Sequence, residues 1–221
     1  MDSVCVFCGS RTGNNPAYVA AAQETGRAIA RRGWTLVYGG GHVGVMGALA
    51  DAALAEGGEV IGVMPRALLT REIAHPGITR IHLVTSMHRR KALMSSLSDG
   101  FLTLPGGYGT LEEFFETLTW AQLGLHTKPC ALLDVAGFWD HLLALVKTQI
   151  AEGFVPAEHL RLILSGTDPH EILDRMASYI PPGSIDPVLD LPIDGPPVHR
   201  DLEPEPAVDR NGNRSKKQTR V

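Results

Sequence analysis

Four short segments of this chain hold more glycine, hydroxyl and charge than a connecting loop requires. The most informative is Pro105-Gly106-Gly107-Tyr108-Gly109-Thr110-Leu111-Glu112-Glu113. Successive backbone N–H groups at a helix start can cradle a phosphate, and glycine lets that backbone approach a ligand with no Cβ in the way. Two accounts fit the residues that follow. Spaced T-x-x-E, Thr110 and Glu113 make a capping box, with Thr110 as N-cap and each side chain accepting from the other's backbone N–H. Alternatively the Thr110 hydroxyl faces a ligand. The capping box leaves the three glycines and the acid pair unexplained. Carboxylates repel a phosphate, so Glu112 and Glu113 fit better facing a sugar.

A second segment is Ser86-Met87-His88-Arg89-Arg90-Lys91. Three consecutive cations at a helix start oppose the macrodipole, so an anionic ligand explains them better than local helix physics, and a solvated basic face is the plainer alternative. The third and fourth are Gly39-Gly40-Gly41-His42-Val43-Gly44 and Cys8-Gly9-Ser10-Arg11-Thr12-Gly13, both suited to holding an anion, although a simple turn also accounts for the latter. Neither is a G-x-G-x-x-G dinucleotide fingerprint with its downstream acid, so a nucleotide is expected and NAD is not. The 9 histidines show no H-x-x-x-H spacing, and only His88 stands beside these segments. No metal is expected.

Positioning such loops requires a scaffold, and the hydrophobic pattern supplies one. Short β-branched runs near 4–7, 35–38, 60–63, 81–84, 101–104 and 130–133, with a further run at 162–164, read as strands. Amphipathic stretches at 17–32, 45–56, 88–97, 111–123, 138–152 and 171–179 read as helices between them. Continuously apolar strands alternating with helices indicate an α/β fold: a Rossmann-like doubly wound sheet, mostly parallel, with helices on both faces. Ligands of such sheets bind outside the carboxyl ends of the strands, where all four segments fall. Arg90 and Glu113 follow adjacent strands in sequence and can meet across one pocket.

Composition narrows the class further. With 221 residues, 44% of them hydrophobic, the chain supports one good-sized core, read as a nucleotide-binding domain over 1–180. Of the 15 prolines, eight (Pro181, Pro182, Pro187, Pro192, Pro196, Pro197, Pro204 and Pro206) follow Ile180, so 181–221 reads as a flexible tail. A net charge of −4 gives no overall drive toward nucleic acid or anionic membrane, and neither partner is expected. The basic end of the tail (Arg214, Lys216, Lys217, Arg220) follows Asp201, Glu203, Glu205 and Asp209 and reads as solvated. No apolar run nears the ~20 residues that span a bilayer. Together with Cys5, Cys8 and Cys130, an odd set read as buried thiols, this gives a cytoplasmic expectation.

The element 105–113, the Met87-x-x-Arg90-Lys91 run before it, Phe7-Cys8-Gly9-Ser10 and Tyr38-Gly39-Gly40-Gly41 together resemble the LOG (LONELY GUY) family of cytokinin-activating phosphoribohydrolases, over about 4–179. The resemblance implies a Rossmann-like homodimer, without cofactor, that hydrolyses the N-glycosidic bond of N6-substituted adenosine 5'-monophosphates. It assigns catalysis to Arg90 and Glu113, and phosphate binding to Gly106, Gly107, Gly109 and Thr110. Gly9, Ser10, Gly40, Gly41, Met87, Lys91 and Glu112 complete the expected substrate site, with Glu112 on the ribose hydroxyls. AMP is a further expected substrate, and a general purine monophosphate nucleosidase or a non-catalytic nucleotide carrier are the alternatives. The family commonly has Glu at Arg89 and Ser at Arg11, and both departures add positive charge near the site. The glycine motif has also carried the label lysine decarboxylase. That chemistry requires pyridoxal phosphate on a lysine, and the globular part offers only Lys91, Lys128 and Lys147. The apolar residues of 93–97 and 114–123 are the expected dimer surface, beside the active-site loops.

Overall fold

The computed structural model describes residues 1–69 and 73–182. Apart from Pro181 and Pro182, the expected tail lies outside the described residues. The chain runs β1 (Ser3–Phe7), α1 (Ala17–Arg31), β2 (Thr35–Tyr38), α2 (Gly44–Ala55), β3 (Val60–Pro65), β4 (Arg80–Val84), α3 (Met87–Ser96), β5 (Phe101–Thr103), α4 (Tyr108–Gln122), β6 (Cys130–Leu133), α5 (Asp140–Ala151), β7 (Ile163–Gly166) and α6 (Pro169–Ala177). Two 3-10 turns, Arg66–Leu68 and Ala157–Leu162, are additions to the expected elements. No helix among the described residues is long and apolar enough to cross a membrane.

The strands form a single parallel sheet in the order β4-β3-β2-β1-β5-β6-β7. Alternation along the central strands sends Val4, Val6, Leu36 and Tyr38 to one face, where Ala22, Ile29, Leu49 and Ile172 of α1, α2 and α6 cover them. Cys5, Phe7, Val37 and Phe101 face the other side, against Met94 of α3. Phe114, Leu132 and Trp139 extend that second layer under α4 and α5. Full burial of a side chain such as Ile29 or Leu49 contributes ~1.5–3 kcal/mol relative to exposure. Cys5 and Cys8 lie in different layers and, like Cys130, are free and buried, so their C-x-x-C spacing is a product of strand alternation.

Strand order fixes the site. From β1 the chain winds outward to β4, then returns to place β5 on the other side of β1. This reversal opens a crevice at the carboxyl ends of β1 and β5, the place where doubly wound sheets hold ligands. The loop after β1 and the Pro105–Gly107 loop with the first turn of α4 are its two walls.

Candidate active site

Backbone hydrogen bonds lock the walls together. Leu104 N–H donates to Phe7 O at 2.9 Å and Gly9 N–H to Pro105 O at 3.1 Å, while Met46 N–H of α2 donates to Gly9 O at 3.2 Å. Gly9 is thereby buried between α2 and the β5 loop, and Ser10 and Arg11 stand exposed beyond it.

On the β5 side, α4 begins three residues before its expected start. Gly107, extended at φ −98° and ψ −156°, is the N-cap, and no side chain caps the helix. The capping-box geometry is therefore corrected: Thr110 is the third helical residue and not the N-cap. Its side chain is buried against Gly106, where a Cβ would come 2.1 Å from Thr110 Oγ1. At Gly107 and Gly109, both exposed, a Cβ would meet nothing within 4 Å beyond its own chain neighbours and helix backbone. Those two glycines open space outward, beside the first N–H groups of a helix, which have no intrahelical acceptors.

Below this cradle lie two buried charges. Arg90 is 3% exposed and Glu113 6%. Ser86, as N-cap of α3, accepts from Arg89 N–H at 3.2 Å and so starts the helix that carries Arg90 inward. The Arg90 guanidinium donates from Nη2 to Gly39 O at 3.3 Å, and Nη1 lies 3.9 Å from Met87 Sδ. Both charges act on the same two thiols, Cys5 within β1 and Cys8 just after it. Burial pushes Cys8 well up; the Glu113 carboxylate adds to that rise and the Arg90 guanidinium opposes it. Cys5 is raised in the same sense, again by burial first. Removing a charge from water costs several kcal/mol, so a carboxylate and a guanidinium buried over one strand end mark a candidate functional couple.

Other expected site residues are placed differently. Lys91 Nζ pairs with Glu112 and with Glu116, the latter at 2.8 Å. Burial pulls the Lys91 ammonium down, but the two glutamates hold it above its ordinary value overall. The structure thus turns Lys91 and Glu112 toward each other across α3 and α4. Gly40 and Gly41 are buried in the protein: Gly40 O accepts from His75 N–H at 3.0 Å, and Gly41 O from Tyr38 Oη–H at 3.2 Å. The room provided by the glycine run is used at Gly39 by Arg90, a pairing that sequence reasoning missed. Its signal was the position of Gly39 directly after β2.

Among the described residues, His42, Asp51 and His75 bring possible metal-ligand atoms within 4.8 Å of one another. Gly77 N–H donates to His75 Nδ1 at 3.1 Å, which puts the ring proton on Nε2, 3.0 Å from Asp51 Oδ1. In that tautomer neither nitrogen of His75 has a lone pair left for a cation. The trio acts as a latch that holds the Ile73–His75 backbone against the glycine loop. Among the described residues, the lysines do not fit pyridoxal phosphate either. Lys91 is ion-paired, Lys128 Nζ donates to Ser95 O at 2.7 Å, and Lys147 is exposed on α5.

Sheet order and crevice define a Rossmann-like α/β protein of the doubly wound class. The fold alone relates it to the molybdenum cofactor binding protein of Rippkaea orientalis, at TM-score 0.61 and 21% identity, covering 80% of this chain and 96% of that one. Residues 46–176 match a family model described as possible lysine decarboxylase. A probable cytokinin riboside 5'-monophosphate phosphoribohydrolase of Oryza sativa subsp. japonica is 47% identical over 176 residues, 80% of this chain and 79% of the relative. A cytokinin riboside 5'-monophosphate phosphoribohydrolase of Arabidopsis thaliana is 44% identical over 178 residues, 80% of this chain and 84% of the relative. The chain belongs to the LOG family.

Proposed function

We propose that this chain is a phosphoribohydrolase that cleaves the N-glycosidic bond of cytokinin riboside 5'-monophosphates, releasing the free base and ribose 5-phosphate. The relatives' names supply the substrate class, and the buried Arg90 and Glu113 beside the open Gly107 and Gly109 are the observation that carries the reading. The 5'-phosphate sits on the α4 N-terminus, held by the N–H groups around Gly106, Gly107 and Gly109. Thr110 anchors that turn. Ser10 and Met87, exposed at the mouth, meet the rest of the nucleotide.

As the glycosidic bond breaks, positive charge develops on the ribose and negative charge on the departing base. Glu113 stabilises the oxocarbenium-like sugar and directs a water to the anomeric carbon. Arginine is a poor proton donor at neutral pH, so Arg90 orients Glu113 and offsets charge on the leaving base. No step calls for a metal or a cofactor. The same site accepts AMP, whose ribose phosphate is identical. The enzyme works in the cytoplasm as a homodimer.

Product analysis tests this reading. Isopentenyladenosine 5'-monophosphate and AMP are expected to give free base and ribose 5-phosphate, and the corresponding riboside almost none. Intact nucleotide after prolonged incubation would identify a carrier instead, and equal turnover of riboside and monophosphate would remove the phosphate from the account.

A further inference from the structure

The run Gly39-Gly40-Gly41 follows β2, two strands away from the α4 cradle. Its first residue, buried at the end of the strand, does something a phosphate loop does not. Gly39 O accepts from Arg90 Nη2 at 3.3 Å, and a Cβ built on Gly39 would lie 2.1 Å from that same nitrogen. It would also lie 3.3 Å from Arg90 Cζ and 3.4 Å from Met46 Sδ. The guanidinium therefore fills the volume in which every other amino acid carries its side chain. We infer that Gly39 is a positioning residue for Arg90: its carbonyl receives the guanidinium and its missing side chain gives the group its seat.

Three features make the seat rigid. Gly39 continues directly from Tyr38, which is fully buried in the central sheet. His75 N–H and His42 N–H, through Gly40 O and Ile73 O at 3.0 Å each, hold the following residues. Behind them stands the His75–Asp51 hydrogen bond to α2. With β2 and the latch both fixed, an added methyl group cannot be absorbed by the loop, so the arginine must move. Displacement of a reacting or orienting group by ~1 Å can cost ~100-fold in rate.

The inference rests on the proposed role of Arg90, and the experiment separates the two. Turnover of isopentenyladenosine 5'-monophosphate is measured for the full chain and for Gly39→Ala, Arg90→Lys, Arg90→Ala and the Gly39→Ala/Arg90→Lys double variant. Gly39→Ala alone is expected to lower kcat by ~10-fold or more with KM little changed, because the phosphate cradle lies elsewhere. In the Arg90→Lys background, where Nη2 is gone, the same substitution is expected to change kcat by less than about 3-fold. Thermal unfolding covers the case of a poorly folded variant: Gly39→Ala is expected to lower Tm in the parent but not in the Arg90→Ala background, read as Gly39→Ala/Arg90→Ala against Arg90→Ala alone. Equal effects of Gly39→Ala on kcat in the parent and Arg90→Lys backgrounds, or an equal Tm loss from Gly39→Ala in the parent and Arg90→Ala backgrounds, would overturn the positioning role. Unchanged turnover in Gly39→Ala beside a slow Arg90→Ala would overturn it while leaving Arg90 in the reaction. Full turnover in Arg90→Ala would remove both.

Discussion

Glu113 shows how far single residues could be read. The spacing from Thr110 permitted both a capping partner and a catalytic carboxylate, and sequence alone could not choose, because the choice depends on where α4 starts. An exposed, extended Gly107 starts it three residues early, and both side chains are carried into the interior. The cysteines were legible for a simpler reason: alternation along a buried strand forces Cys5 and Cys8 inward whatever the ligand. That burial has a pH consequence. Cys130 is pushed up to about 12, chiefly by desolvation, and the folded chain therefore holds this proton above pH ~8.5, where the unfolded chain releases it. With more protons bound in the folded state, stability falls as pH rises, by up to ~1.4 kcal/mol per pH unit for one thiol. Urea unfolding at pH 7, 9 and 10 is expected to show a smaller alkaline loss in Cys130→Ala than in the parent. Parallel losses would mean that the thiol ionises freely in the folded chain.

At the scale of elements, the sequence located every strand and every α-helix of the described residues, because each is a short apolar run or an amphipathic stretch bounded by glycine, proline or a polar cap. Asp168 is such a cap: it accepts from His170 N–H at 2.8 Å and Glu171 N–H at 2.9 Å, one residue before Pro169 opens α6. Strand order was not legible, since it depends on contacts between residues far apart in the chain. For the same reason, the two glycine loops both read as anion sites and differ in use. One receives the chain's own arginine, and the other faces open space. Gly109, the second residue of α4, provides a test of that difference. A Cβ there meets nothing beyond its own chain neighbours and helix backbone, and replacing glycine by alanine within a helix is worth up to ~1 kcal/mol. Gly109→Ala is expected to raise or preserve Tm while raising KM for the monophosphate severalfold. A variant that is both stable and unaltered in KM would place the phosphate elsewhere.

Across the whole molecule, the parallel sheet sets the crevice at its carboxyl edge and leaves apolar residues exposed on and beside α3 and α4. Of the apolar residues expected at the dimer surface, Met94 and Phe114 are buried and Leu93, Leu97 and Leu118 pack against the core; Met87 at the start of α3 and Phe115 in the first half of α4 are exposed on the side of the proposed site, and Leu123 and Leu125 are exposed beyond the far end of α4, ~20 Å away. Self-association through α3 and α4 is the expectation for these exposed residues, and ending the chain after Ile180 is expected to leave both assembly and turnover intact, because 181–221 has no apolar periodicity. Sedimentation of full-length and shortened chains beside an activity assay checks this, and a fully active monomer would remove the interface from the mechanism. In the proposed mechanism the Glu113 carboxylate acts at the glycosidic bond. Its most direct test is the release of free base from isopentenyladenosine 5'-monophosphate by Glu113→Gln, with thermal unfolding followed in parallel. The account predicts a loss of at least ~100-fold in kcat with a Tm close to that of the parent. Near-normal turnover in a folded Glu113→Gln protein would contradict it.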